Sequence, residues 1–585
     1  MKDFFKYMLA SMLGIFLIGM IVFFIFIGLF MGLMSYAEQQ EVVIKENTII
    51  RIDFKDAIPE RTAKSGIFSD LTSGSLKRVL GLNDILKNID DAATDENVKG
   101  IVLNLNIIPS GTSTLEEIRD ALLRFKESEK FILCYGEYMT QGGYYLGSVA
   151  DEIYIHPQGF VDFKGLNARV MFLKGMLDKL DIDMQIVRHG KFKSAVEPLI
   201  QKEMSPENRE QYNSFVNAIW NTILNDISDS RGLSVIELNR IADELIAYDA
   251  ADAVEAGLVD AAKYRDEFRE IISSRMDAEF DDINFVSLNQ YDRVSRDFSI
   301  TSDRIAVIYA TGEIGGGQGN DQTIGSDRLA KTILKAREDE NVKAVVFRIN
   351  SPGGDALASD VILREMQLLQ AEKPVIVSMG NVAASGGYWI SCASNKIFAD
   401  ETTLTGSIGV FGVIPYFGDF MENKLGITYD YVATNENSGF PPIMRPLSDY
   451  ERETMQRKVE NIYDLFLERV SDSRNLSTEE VDLIGQGRVW SGIHAKELGL
   501  IDDFGGLYDA INAAIEISGL DEYRLLELPV QIDPIEQLFN EITAGIYTRA
   551  LKAEMGPFYN DYIQAKSVLK WEGVQARLPV LLNLE

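Results

Sequence analysis

Two short runs in this 585-residue chain combine a serine with paired glycines in a pattern that suits acyl chemistry. In Ala383-Ala384-Ser385-Gly386-Gly387-Tyr388, small residues surround Ser385. This resembles a nucleophile elbow, with Ala-x-Ser-x-Gly in place of Gly-x-Ser-x-Gly, where a sharp turn into a helix presents the hydroxyl. A helix start at that point also favours negative charge. Upstream, Asn350-Ser351-Pro352-Gly353-Gly354 ends an apolar run on two glycines. Their backbone N–H groups can face outward without side-chain obstruction, as an oxyanion hole requires of donors about 3 Å from a developing charge. Each run alone also fits a tight turn with a serine N-cap; their occurrence in one segment favours the catalytic reading.

A serine hydroxyl is a weak nucleophile until a base takes its proton. The three histidines, His156, His189 and His494, are far apart in sequence and none adjoins these turns. The other option is a lysine held neutral by burial. The segment Gly190-Lys191-Phe192-Lys193-Ser194-Ala195-Val196-Glu197-Pro198 supplies candidates, with His189 as a competing base four residues before Lys193. Cys392, seven residues after Ser385, reads as a small buried hydrophobe on the same helix.

The elements that must position these groups come as an internal duplication. Asp95-Glu96-Asn97-Val98-Lys99 recurs as Asp339-Glu340-Asn341-Val342-Lys343, and Gln141-Gly142-Gly143-Tyr144-Tyr145 matches Ser385-Gly386-Gly387-Tyr388-Trp389 at the same offset of 244 residues. So long a period means two duplicated domains rather than a solenoid. Within each copy, Val/Ile-rich runs alternate with helical stretches, the pattern of parallel strands with crossover helices. The copies are complementary: the first has Gln141 where the second has Ser385, and the second has no lysine in Thr434-Asn435-Glu436-Asn437-Ser438-Gly439-Phe440-Pro441, where the first has Lys191 and Lys193. One composite site per pair of copies follows. The expected organisation is an anchor over 1–40, a repeat carrying the lysine over 41–300, a repeat carrying the serine over 301–528 and a helical extension over 529–585. A polar junction runs from about Ala278 to Arg304.

Composition excludes several classes. Lys and Arg number 57 against 89 Asp and Glu, and a net charge of −32 repels phosphate backbones, so nucleic acid is no expected partner. Two cysteines, Cys134 and Cys392, cannot build a disulfide framework, and no Cys/His cluster suggests a metal site. From Tyr7 to Ala37 there is no charged side chain, which is long enough to span a bilayer core of about 30 Å. Lys2 and Lys6 before it and Glu38 after it place the N-terminus in the cytoplasm and the body outside. Ser35-Tyr36-Ala37 also has the look of a signal-peptide cleavage site, although the apolar run exceeds the usual signal core. An apolar stripe at Ile535, Leu538, Phe539, Ile542 and Ile546 has helical spacing and suits core, subunit contact or membrane surface.

The order and spacing of these motifs, together with Thr405-Gly406-Ser407-Ile408-Gly409, resemble the signal peptide peptidases of the long, tandem-domain bacterial type, membrane-anchored serine proteases with a Ser/Lys dyad. The resemblance covers nearly the whole chain. It implies an α/β fold of two tandem crotonase/Clp-protease-like domains after an N-terminal transmembrane helix. It further implies Ser385 as nucleophile, Lys193 as general base, Ser407 as a hydroxyl bonded to the lysine amine, and Gly354 and Gly386, with Gly353, as the oxyanion hole. No cofactor or metal is implied. The implied substrates are signal-peptide remnants and other apolar peptides, cleaved by a homotetramer on the periplasmic side of a bacterial inner membrane. On the residues alone, Ser407 also reads as a turn cap. Two other classes share parts of the pattern: a crotonase-like acyl-CoA enzyme, which uses paired amides without a nucleophilic serine, and a membrane-tethered scaffold without catalysis.

Overall fold

The computed structural model describes residues 2–38, 44–63, 78–293, 301–531 and 574–578. The apolar N-terminal run forms α1 (Lys2–Glu38). Among the described residues its stretch Lys6–Phe26 alone is long and apolar enough to cross a membrane.

The first repeat is built on β1 (Thr48–Ile52), β2 (Val98–Asn104), α2 (Thr112–Lys126), β3 (Phe131–Gly136), α3 (Gln141–Gly147) and β4 (Glu152–Ile155). Its strands pair in parallel in the order β4-β3-β2-β1, flanked by short strands at Ala261–Ala262 and Asn284–Ser287. Near-continuous burial along β2 and β3 is that of strands covered on both faces. Leu115, Ile118, Leu122 and Phe125 give α2 a helical-period apolar face that supplies one such cover. The polar stretch expected as the junction therefore contributes the edge strand Asn284–Ser287; its only fully buried residue is Val286, too weak an alternation to be read in advance. After β4 the chain also forms β5 (Asp183–His189), which leaves this sheet.

The second repeat repeats the plan with β6 (Arg304–Thr311), β7 (Val342–Ser351), β8 (Gly353–Asp355), α4 (Ala356–Gln370), β9 (Val375–Ala384), α5 (Gly386–Ser391), β10 (Leu404–Gly406) and β11 (Val410–Tyr416). Its main sheet runs β10-β9-β7-β6. Ile305, Val307, Val346 and Ile376 of this sheet share one apolar cluster with Ile118, Leu122 and Phe125 of α2, so the two repeats pack through a common core.

A third sheet joins the repeats. β5 pairs antiparallel with β11, from Val410 opposite His189 to Tyr416 opposite Asp183. On its other side β11 meets β12 (Val574–Arg577), which in turn pairs antiparallel with β8. The segment expected as a helical extension thus contributes a strand, because Val-Gln-Ala-Arg alternates apolar and polar residues at period two. The apolar stripe from Ile535 to Ile546 lies outside the described residues.

Candidate functional site

Ser385 sits where β9 ends and α5 begins, with φ 57° and ψ −115°. A non-glycine residue in such a region costs about 1–3 kcal/mol, so the surroundings must impose it. They do so through the backbone: Ser385 N–H donates to Gly406 O at 2.8 Å, and Trp389 N–H donates to Ser385 O at 2.8 Å. The small neighbours are steric necessities. A Cβ on Gly387 would lie 2.7 Å from Ser351 O, and one on Gly386 would lie 2.7 Å from Ser359 Oγ.

Lys193 enters from the first repeat. β5, zipped to β11, delivers the chain to a turn at Gly190, and Phe192 N–H then donates to Gln486 O at 2.9 Å. Gln211, on the helix Pro206–Arg231, donates to Phe192 O at 3.2 Å and Ser194 Oγ at 2.7 Å while accepting from Val489 N–H at 3.2 Å. Lys193 Nζ then lies 2.8 Å from Ser385 Oγ and 3.0 Å from both O and Oγ of Ser407. All three residues are 0% exposed. Burial holds the Lys193 amine well below the ordinary lysine range, because desolvation penalises the ammonium.

A neutral amine has two N–H bonds and one lone pair, and the three neighbours account for all of them. Ser407 O can only accept, so it takes one N–H; Ser407 Oγ takes the other; the lone pair faces the Ser385 hydroxyl. With the amine uncharged, this arrangement leaves its lone pair for the serine proton. Ser407 is itself fixed at φ 52° by its N–H bond to Arg488 O at 2.7 Å.

The glycines divide the remaining work. Gly353 turns the chain with φ 94°, and its N–H donates to Ser351 Oγ at 3.2 Å. Gly354 and Gly386 adjoin each other, with Gly354 N 3.2 Å from the position of a Cβ on Gly386.

His189, the competing base, ends β5 with its ring stacked on Tyr463, centroids 4.0 Å apart at 20°. Lys191 is exposed. Cys392 is buried with Sγ 3.3 Å from Tyr388 O, and burial pushes its thiol up to about 12. In the first repeat the counterpart of Ser385, Gln141, accepts N–H bonds from Lys164 and Gly165 at 3.3 and 2.9 Å. Sequence reasoning missed Gly487, which takes φ 80° and leaves no room beside the lysine: a Cβ there would lie 2.6 Å from Lys193 Cβ. It also missed Gln211. The sole local sign of Gly487 is its place in Gly485-Gln486-Gly487.

A strained serine at a helix start, a dry lysine against its hydroxyl and adjoining glycine amides are the equipment of a serine peptidase. Comparison with known proteins agrees. A model described as peptidase family S49 matches residues 124–278 and 367–521, one match in each repeat, and a Clp protease model matches 299–402. "Protease 4" of Haemophilus influenzae is 36% identical over 77% of this chain and 75% of its own, and "Protease 4" of Salmonella typhi is 35% identical over 84% and 81%. "Putative signal peptide peptidase SppA" of Enterococcus faecium is 36% identical over 33% of this chain and 57% of its own. The chain belongs to peptidase family S49 and is a serine peptidase with two tandem Clp-protease-like α/β domains. That assignment sets aside the acyl-CoA enzyme and the silent scaffold.

Proposed function

We propose that this peptidase works with Ser385 as nucleophile and Lys193 as general base, and that it degrades apolar peptides, signal-peptide remnants in particular, at a membrane. The observation that carries the reading is the 2.8 Å approach of Lys193 Nζ to Ser385 Oγ in a dry setting. As Oγ attacks a peptide carbonyl, its proton passes to the Nζ lone pair. The amides of Gly354 and Gly386 hold the oxyanion, and Ser407 keeps the amine oriented through its two acceptors. Lys193 then protonates the leaving amine, and water attacks the ester with the same lysine as base. The chain's own residues suffice for these steps.

The membrane setting rests on α1, with Lys2 and Lys6 before its apolar stretch, so that residues 1–40 act as a single-pass anchor and the catalytic body lies on the extracytoplasmic side. The division into repeats over 41–300 and 301–528 follows the two main sheets, and assembly as a homotetramer belongs to the same reading. The name of the Enterococcus faecium relative supports signal peptides as substrates.

The test is an assay of the full chain in detergent against a fluorogenic peptide with a small apolar residue before the scissile bond. Wild type is expected to cleave, and Ser385→Ala and Lys193→Ala to lose roughly 10⁴-fold or more in kcat. Retained activity in Lys193→Ala would overturn the dyad.

A further inference from the structure

The groove beside the oxyanion amides holds a strand of the chain itself. β12 lies antiparallel between β8 and β11, with Gly354 opposite Ala576 and Gly353 opposite Arg577. Leu578 N–H donates to Pro352 O at 2.7 Å, which makes 352/578 a hydrogen-bonded pair. In an antiparallel ladder such pairs recur every second residue, so 354/576 is the next, and the Gly354 N–H points at the Ala576 carbonyl. The glycine geometry agrees: Ala576 O lies 2.3 Å from a Cβ placed on Gly353 and 3.1 Å from one placed on Gly386. The carbonyl of Ala576 therefore occupies the space between the two amides assigned to the oxyanion.

β12 thus has the register of a substrate, with Ala576 before and Arg577 after the bond to be cut. Val574, Ala576 and Leu578 are buried on one face of the strand, and Gln575 and Arg577 on the other. The Arg577 guanidinium is paired with the Glu313 carboxylate, and its side chain keeps only 8% exposure against 43% for Glu313. A guanidinium is rarely buried without a partner of this kind.

We infer that β12 traces the path of a bound substrate, and that Glu313 selects a basic residue immediately after the scissile bond, following a small residue in the position of Ala576. This inference rests on the Ser385 site proposed above. An incoming peptide must displace β12, so variants at Glu313 change access for every peptide alike; the discriminating quantity is a ratio between two peptides on one enzyme.

The experiment compares quenched peptides with the cores Val-Gln-Ala-Arg-Leu and Val-Gln-Ala-Leu-Leu on the full-length protein. Wild type is expected to favour the arginine peptide about tenfold in kcat/KM, the size of one hydrogen bond to a charged group. Glu313→Gln should bring the ratio close to one, and Glu313→Lys should invert it. An unchanged ratio in both variants, with Ser385→Ala inactive, overturns the role of Glu313 while leaving the dyad intact. If wild type cleaves neither peptide, the proposed function fails instead. Fluorescence anisotropy with the same two peptides then decides the inference: preferential binding of the arginine peptide that Glu313→Gln abolishes sustains it, and equal binding overturns it.

Discussion

In the proposed Ser385/Lys193 dyad activity requires an uncharged amine, and desolvation favours that form by lowering the Lys193 pKa. kcat/KM should therefore rise with pH through the lowered pKa of Lys193, with the midpoint of the acid limb below the lysine reference of about 10.4; a limb at or above that value would contradict the burial seen. The same displacement acts on stability with a definite sign. Between the lowered folded pKa and the ordinary unfolded one, the unfolded chain binds the proton that the folded chain lacks, so wild-type stability rises with pH across that window. Lys193→Met removes this dependence. Thermal melts should show the variant gaining on wild type as pH falls and losing that advantage as pH climbs toward the unfolded value. Gly487 is a second residue-scale test. With φ 80° and 2.6 Å between its missing Cβ and Lys193 Cβ, Gly487→Ala strains the backbone and pushes on the lysine stem. We expect about 1–3 kcal/mol of lost stability and at least a tenfold fall in kcat, read by denaturant melts and steady-state kinetics.

At the scale of elements, the lysine is held by a turn and not by a long strand or helix, so the turn's own bonds decide its placement. Glu197, 0% exposed, accepts from Ser205 N–H at 3.2 Å, Ser205 Oγ at 2.6 Å and Asn208 Nδ2 at 2.8 Å. It ties the 3₁₀ turn Ser194–Val196 to the start of the helix Pro206–Arg231. Glu197→Ala leaves the buried Asn208 amide without its carboxylate and frees the half-buried Ser205 donors, at about 1–3 kcal/mol, and should lower kcat more than it raises KM; an unaltered kcat would show that the turn holds without it. What the sequence disclosed and what it withheld divide along the same line. Ser385, the glycines around it and the lysine segment stand in compact local patterns, and the duplication displayed the two α/β sheets through repeated strand–helix alternation. Gln211, Gly487 and β12 act on residues hundreds of positions away or in another sheet, and no local period encodes such a meeting. β12 was further obscured because four residues of alternating polarity carry little signal beside an apolar helical stripe.

Across the whole molecule, the composite site requires the repeats to stay in register, and their shared core contains a charge network that spans them. Arg348 of β7 is 0% exposed; its Nε donates to Glu60 at 2.7 Å, its Nη2 to Glu117 of α2 at 2.5 Å and its Nη1 to Ser378 Oγ at 2.8 Å. Glu117 also accepts the Leu507 N–H at 2.7 Å, and Glu60 accepts from Asn350 Nδ2 at 2.6 Å, next to the glycine turn of the site. Nearby, Glu116 accepts from Glu401 and Thr402 of the second repeat, and burial pushes its carboxyl up to about 8. Burial likewise raises the carboxyl of Glu117, against the pull of Arg348. Removing the cation while leaving the carboxylates is the costly way to break such a cluster, about 3–5 kcal/mol. Arg348→Met keeps most of the volume, so its loss reports on charge and not on a cavity. With no guanidinium opposite, Glu117, whose carboxyl burial already raises, gains more from protonation in the folded state than in the unfolded one, so the variant's stability should fall as pH rises and recover as pH is lowered. Melts of Arg348→Met against wild type should therefore show a gap that is wide at pH 8 and narrows toward pH 5. A gap independent of pH would mean that packing, and not the buried pairing of charges between the repeats, keeps Lys193 over Ser385.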